Sequence, residues 1–202
     1  MSLPIWKRPR RFVDIETTGL SQKENGEIDY DLHEIVEITI TDEYGVALLD
    51  TKVKPIQIET AHPKALEING YTEEGWKDAP TFEQIAPMVV ELLTHCVIVG
   101  QNAAQFDYPR IKHWASKYTD TSKMGYHVVD TVTLIEEHLV PLGCKRLSLA
   151  PACDFVGIPL VNAHRSAVDI EATRRLYYKL RRANRFNRFW WWVRNKVRTW
   201  GK

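Results

Sequence analysis

Three short β-type runs come before the first helical run in this chain, and from there on strands and helices alternate. The run at 11–16 is followed by Ile35–Thr41, where Val36, Ile38 and Ile40 alternate with Glu37, Thr39 and Thr41. A third run, 46–53, lies beyond the turn residues Asp42, Glu43, Tyr44 and Gly45. Period-2 spacing sends alternate side chains to opposite faces of a strand, and the short connection predicts an antiparallel opening meander. Helical spacing begins at Pro80 and Thr81 and carries Phe82, Ile85, Val89 and Leu92 on one face. A buried strand at 97–99, a helix near 106–117, a strand at His127–Asp130 feeding a helix to His138, and helices over 148–155 and 166–182 complete the reading. This order predicts an α/β class with one mixed sheet flanked by helices.

Composition narrows the function classes. With 202 residues, 44% hydrophobic and 26% charged, the chain has the makings of one globular domain with an appendage, which excludes collagenous and wholly disordered classes. The apolar run at 189–193 falls far short of the ~20 residues that cross a bilayer, so no transmembrane segment is expected. The basic start leads into Phe12, Val13, Asp14, Ile15 and Glu16 rather than an apolar stretch with a cleavage site, so no signal peptide is expected. Cys96, Cys144 and Cys153 form no Cys-x-x-Cys pair. They read as small core residues rather than a disulfide framework or zinc knuckle, and a reducing cytoplasm is the expected location.

The net charge of +1 conceals a split. From Arg174 to Lys202 there are eleven Lys or Arg and no acid, so the preceding residues carry −10. Lys7, Arg8, Arg10 and Arg11 form a second small basic cluster. An acidic body with so basic an end suggests an intramolecular clasp or a handle for a polyanion.

Asp14 and Glu16 lie two apart on a strand and therefore share one face, with Val13 and Ile15 on the other. Two carboxylates on one face of a central strand repel each other and resist burial unless a cation joins them. Hard oxygen ligands favour Mg²⁺ or Mn²⁺ over zinc.

Three stretches in order resemble the motifs of the DEDDh exonucleases of the RNase H-like fold. Asp14-Ile-Glu16-Thr-Thr-Gly-Leu20 is similar to the first motif, Gly100-Gln-Asn102-Ala-Ala-Gln-Phe106-Asp107 to the second, and His164-Arg-Ser-Ala-Val-Asp169 to the third, whose histidine precedes its aspartate by five residues. The resemblance covers about residues 11–180. It implies an exonuclease domain over 1–180 with a mixed RNase H-like sheet, and a basic, Trp-rich extension over 181–202. It further implies that Asp14, Glu16, Asp107 and Asp169 hold two divalent metals, Mg²⁺ or Mn²⁺, and that His164 serves as the general base on the attacking water. The implied activity is 3′-5′ hydrolysis from a free nucleic-acid 3′ end, releasing nucleoside 5′-monophosphates, with DNA preferred over RNA. Thr17, Thr18, Leu20 and Asn102 are the implied substrate contacts. Gln101 and Asn69 depart from the pattern, standing where many relatives carry histidine. Two other readings are a catalytically silent nucleic-acid-binding module of the same fold and an RNA-trimming exoribonuclease.

Other residues invite weaker readings. Asp130, just before Thr131, reads as a helix N-cap rather than a fifth ligand. Glu37 has no motif role, and His33, His62, His95, His113, His127 and His138 read as surface or hydrogen-bonded histidines. In the tail, Phe186, Phe189, Trp190, Val193, Val197 and Trp200 fall on one helical stripe. That stripe is expected to dock on the protein's own core or a protein partner. Alternatives are nucleic-acid contact by arginines with Trp191 or Trp192, and a membrane surface.

Overall fold

The computed structural model describes residues 4–21, 26–160 and 166–200, the last three as backbone. Five strands form one sheet in the order β3-β2-β1-β4-β5: β1 (Arg10–Thr17), β2 (Ile35–Thr41), β3 (Ala47–Lys52), β4 (Val97–Gly100) and β5 (His127–Asp130). The β1–β2 and β2–β3 pairs are antiparallel, while β4 joins β1, and β5 joins β4, in parallel. The mixed, helix-flanked sheet is the one expected, with β1 at its centre.

The two faces of β1 have different neighbours. Val13 and Ile15 stand opposite Ile40 and Ile38 and pack under α3 (Phe82–Leu92) and α4 (Asp107–Ser116). Thr81 starts α3 through a capping box with Gln84, whose side chain accepts the Thr81 amide at 2.8 Å. On the other face, Phe12 and Val99 meet Ile170 and Tyr177 of α7 (Ser166–Arg181). Because helices cover both faces, the alternating β2 run is buried on both sides, Thr39 and Thr41 included. The strand β4 ends at Gly100, where a Cβ would come within 2.5 Å of the Ala103 Cβ and 2.9 Å of the Val13 carbonyl oxygen. Glycine alone allows the loop to fold back there.

Two short helices lacked a sequence expectation, α1 (Pro63–Asn69) and α2 (Glu73–Trp76), each too brief to show a 3.6-residue period. The α2 turn inserts Trp76, whose indole donates to the Val36 carbonyl at 2.8 Å. Beyond β5 come α5 (Thr131–His138), α6 (Leu149–Val156), α7 and α8 (Arg185–Trp200). A second core beneath the last three joins Phe155 and Val156 to Leu176, Leu180 and Trp191.

The tail helix docks by a different face from the one expected. Trp191 is 7% exposed and sits in that second core, and Asn195 donates to the Phe155 carbonyl at 3.0 Å. Phe186, Phe189, Trp190 and Val197 of the stripe all face solvent. A single buried indole packed against α6 and α7, rather than the longer stripe, anchors the helix. Among the described residues no helix is long and apolar enough to cross a membrane.

Candidate active site

Asp14 and Glu16 project from β1 toward α7, and the first turn of α7 brings Asp169 to meet them. One carboxylate oxygen from each of the three lies within 4.8 Å of the others. Ser166 secures that turn: it is fully buried, its hydroxyl donates to Glu37 Oε1 at 2.7 Å, and it shares a 2.6 Å hydrogen bond with Thr39 Oγ1. The first residue of α7 is thus bonded to β2, which places Asp169 one turn further on.

Asp107, also buried, starts α4 with its Oδ1 accepting the Ile15 amide at 3.0 Å. It raises the Asp14 pKa through its charge but stands outside the closest triad, its carboxylate aimed at the backbone of β1. The antiparallel register places Glu37 directly opposite Glu16. Like charges so placed destabilise a sheet unless something binds them. Glu37 went unassigned in the sequence; pairing β1 with β2 across their connection is the signal that finds it.

Electrostatics follow from this crowding. Burial, then the charges of Asp107, Glu16, Asp169 and Glu37, hold the Asp14 carboxyl well above the ordinary range. Burial, then Glu37 and Asp169, push Glu16 up to about 7. Burial raises Asp107 to about 7 as well, against the opposing pull of the Ile15 amide and Arg110. Each group resists carrying its charge unless a cation joins it.

A cleft of about 660 Å³ opens beside Glu16, lined by Thr17, Leu20, His33, His62, Asn69 and Phe106 among others. Thr17 and Leu20 therefore reach the cleft, and Leu20 is 68% exposed. Thr18 and Asn102 do not. The Thr18 hydroxyl is buried and accepts the Glu34 amide at 2.8 Å, which closes the β1–β2 connection. Asn102 adopts φ +60 and gives its amide to Asp130 Oδ1 at 2.9 Å, outside the cleft lining. The two departures from the family pattern are structural: Asn69 donates to the Thr17 carbonyl at 2.8 Å, and Gln101 donates to the Leu147 carbonyl at 2.8 Å. His164 lies outside the described residues.

Two more residues position the site, of which Arg110 emerges only from the structure. Arg110, 3% exposed, donates to the carbonyls of Phe106 and Leu20 and lies 3.7 Å over the Phe106 ring, tying the cleft's rim to α4. Asp130 is the N-cap of α5, as expected, accepting the Val132 amide at 2.9 Å.

Residues 12–177 match the RNase_T exonuclease family. The chain belongs to that family. Over 168 residues, 83% of the chain, it is 33% identical to a DNA polymerase III PolC-type from Caldanaerobacter subterraneus, covering 11% of that protein. It is 31% identical over 168 residues to a 3′-5′ exonuclease DinG from Staphylococcus epidermidis, covering 17% of it. The chain thus spans under a fifth of the length of these relatives. In fold it is similar to E. coli exonuclease I crystallised with a dT13 oligonucleotide, with a TM-score of 0.71 at 18% identity over 87% of this chain and 41% of that one. The RNase_T match runs from β1 through most of α7, so it contains both elements that supply the triad.

Proposed function

We propose that the chain is a 3′-5′ exonuclease that removes nucleoside 5′-monophosphates from a nucleic-acid 3′ end, with DNA preferred over RNA. The observation that carries the reading is the convergence of Asp14, Glu16 and Asp169 within 4.8 Å beside the cleft that Thr17 and Leu20 line. The relatives' names add support: one is a DNA polymerase, another a 3′-5′ exonuclease, and the exonuclease I structure holds a DNA oligonucleotide.

The donor set fits hard divalent cations. Clustered, partly buried carboxylates, with Asp14 and Glu16 raised by burial and by neighbouring acids, are what Mg²⁺ or Mn²⁺ relieves, and nitrogen- or sulfur-preferring ions have no donor in the triad. Asp14, Glu16 and Asp169, with Asp107 as fourth carboxylate, would hold two such ions, which supply charge stabilisation to the attacking and leaving oxygens. Glu37 would stay an acceptor for Ser166 and keep α7 in place. Thr17 and Leu20 would orient the terminal nucleotide in the cleft, with Arg110 fixing the Leu20 backbone. His164 would accept the proton of the attacking water, the role that imidazole suits because its unperturbed pKa of about 6.5 lies near neutrality. Residues 1–180 would form the catalytic unit and 181–202 an extension.

Matched 5′-labelled single-stranded DNA, duplex DNA and RNA, incubated with and without Mg²⁺, test this. A Mg²⁺-dependent ladder shortened from the 3′ end is expected. Binding without cleavage would favour the silent module, and a ladder on RNA alone the exoribonuclease reading.

A further inference from the structure

A second cleft, of about 820 Å³, lies at the far end of α7 from the triad. Its wall carries five cations, Arg10, Arg174, Arg175, Lys179 and Arg182, against a single acid, Glu43. Arg174 is neutralised by a two-pronged pair with Glu171 at 2.7 and 2.9 Å. Arg10 donates to the Tyr177 hydroxyl at 2.8 Å, which leaves its charge intact. Arg175, Lys179 and Arg182 make no ion pair among the described residues. Lys179 is half-buried, and its strongest charged neighbours are further cations, Arg194 and Arg175, which with burial lower its pKa. Arg194 in turn lies across Gly157, where any side chain would collide with its guanidinium.

Like charges gathered in a concave surface without counter-ions cost folding energy, and an anionic ligand removes that cost. The same wall holds aromatic rings. Tyr44 is 77% exposed at the tip of the β2–β3 turn, and Tyr178 sits under the Arg182 guanidinium at 5.4 Å. A cationic groove with aromatic platforms is the chemistry that holds single-stranded nucleic acid, phosphates on the cations and bases on the rings. A small inorganic anion would have no use for the rings.

We infer that this groove binds the phosphodiester backbone of a single strand several nucleotides on the 5′ side of the 3′ end that occupies the triad. The inference rests on the exonuclease reading and adds a second contact region to it. Asp169 and Lys179 are ten residues apart on one helix, hence ~15 Å at 1.5 Å per residue. At ~3.4 Å per stacked nucleotide that is roughly four to five nucleotides. A trinucleotide therefore engages the triad alone, and a decamer engages both.

The test measures anisotropy of 5′-fluorescein-labelled dT3 and dT10 in EDTA across a salt series, and single-turnover cleavage of both in Mg²⁺. The wild-type chain is expected to bind dT10 much more tightly than dT3. In R175E/R182E, both positions exposed and clear of the core, dT10 affinity should fall at least about tenfold and the salt slope by about 1.4, or ~0.7 per lost phosphate contact. Cleavage of dT3 should be unchanged. Lys179→Gln should weaken dT10 binding while leaving the melting temperature equal or higher, which a purely structural lysine would not do. Equal affinity of the wild type for dT3 and dT10 would overturn the inference, as would unchanged dT10 binding in R175E/R182E. So would tripolyphosphate binding in the groove with no dependence on oligonucleotide length. Length-dependent binding without any cleavage would leave the groove standing and remove the exonuclease reading; cleavage without length dependence would do the reverse.

Discussion

The layer formed by β1 and α7 has two ends of opposite charge. At one, Asp14, Glu16 and Asp169 crowd together with Glu37 opposite Glu16. At the other, Arg10 faces the Arg175–Lys179–Arg182 side of α7 across the larger cleft. Between them Phe12, Ile170 and Tyr177 pack as ordinary core. Neither end is built for stability, since each holds like charges in a partly desolvated place. They differ in what would relieve them: compact divalent cations at the first, an extended polyanion at the second. With one helix carrying both, the proposed reading gives chemistry to the acidic end and grip to the basic end.

The sharpest way to break this contrast is at the acidic end. Asp14→Ala should reduce cleavage at least about a thousandfold, because several kcal/mol of charge stabilisation goes with the ligand and each ~1.4 kcal/mol is tenfold in rate. The same change should raise the melting temperature in EDTA by relieving repulsion. Cleavage near the wild-type rate, read from a labelled oligonucleotide, would end the metal-ligand assignment. His164→Ala should slow turnover roughly 10²–10⁴-fold and remove the acidic limb of the pH–rate profile. An unaltered limb would take His164 out of the base role.

Beside the basic end, the docking of α8 is read through stability. Trp191→Ala should cost about 3–5 kcal/mol, the range for emptying a buried indole site, whereas Trp190→Ala on the exposed side of α8 should stay within about 0.5 kcal/mol. Denaturant unfolding of the pair decides it, and equal losses would mean that α8 docks by its aromatic stripe after all. A further expected effect is a pH dependence of stability that arises at the acidic end. Glu16 and Asp107 titrate at about 7 in the folded apo chain, above their ordinary carboxylate values, so the folded state holds protons that the unfolded state has released. In EDTA, the stability contributed by these two groups should therefore be greatest below about pH 4 and decline as pH rises through 7. Added Mg²⁺ should flatten that decline, and a melting temperature that rises between pH 5 and 8 in EDTA would contradict the raised pKa values.

Much of this could be read in the residues themselves. The strand β2 and the longer helices declared themselves through period, and the other four strands as short β-type runs between turns and helices. Asp14 and Glu16 were legible as a same-face pair because they lie two apart on a strand. Glu37 and Ser166 were not: their roles come from the β1–β2 register and from a hydrogen bond spanning 129 positions, and neither leaves a local pattern. Thr18 and Asn102 have structural parts that a motif does not display: the Thr18 hydroxyl meets a backbone need at the β1–β2 connection, and Asp130 holds the Asn102 backbone amide. In the tail, counting apolar positions favoured the longer stripe, because a helical wheel weighs area and knows nothing of the second core that admits Trp191.

The Asp130 carboxylate has a bearing on how this chain would look to selection. Besides starting α5, it accepts the amides of Asn102 and Ala104 at 2.9 and 3.1 Å, so one side chain stitches together two of the loops that leave the sheet, including the one leading to Asp107. In a library scored by retained nuclease activity, position 130 should tolerate replacement little better than Asp14 does. The two would separate only when protein abundance is scored beside activity: substitutions at 14 would leave abundant, inert protein, and substitutions at 130 would deplete it.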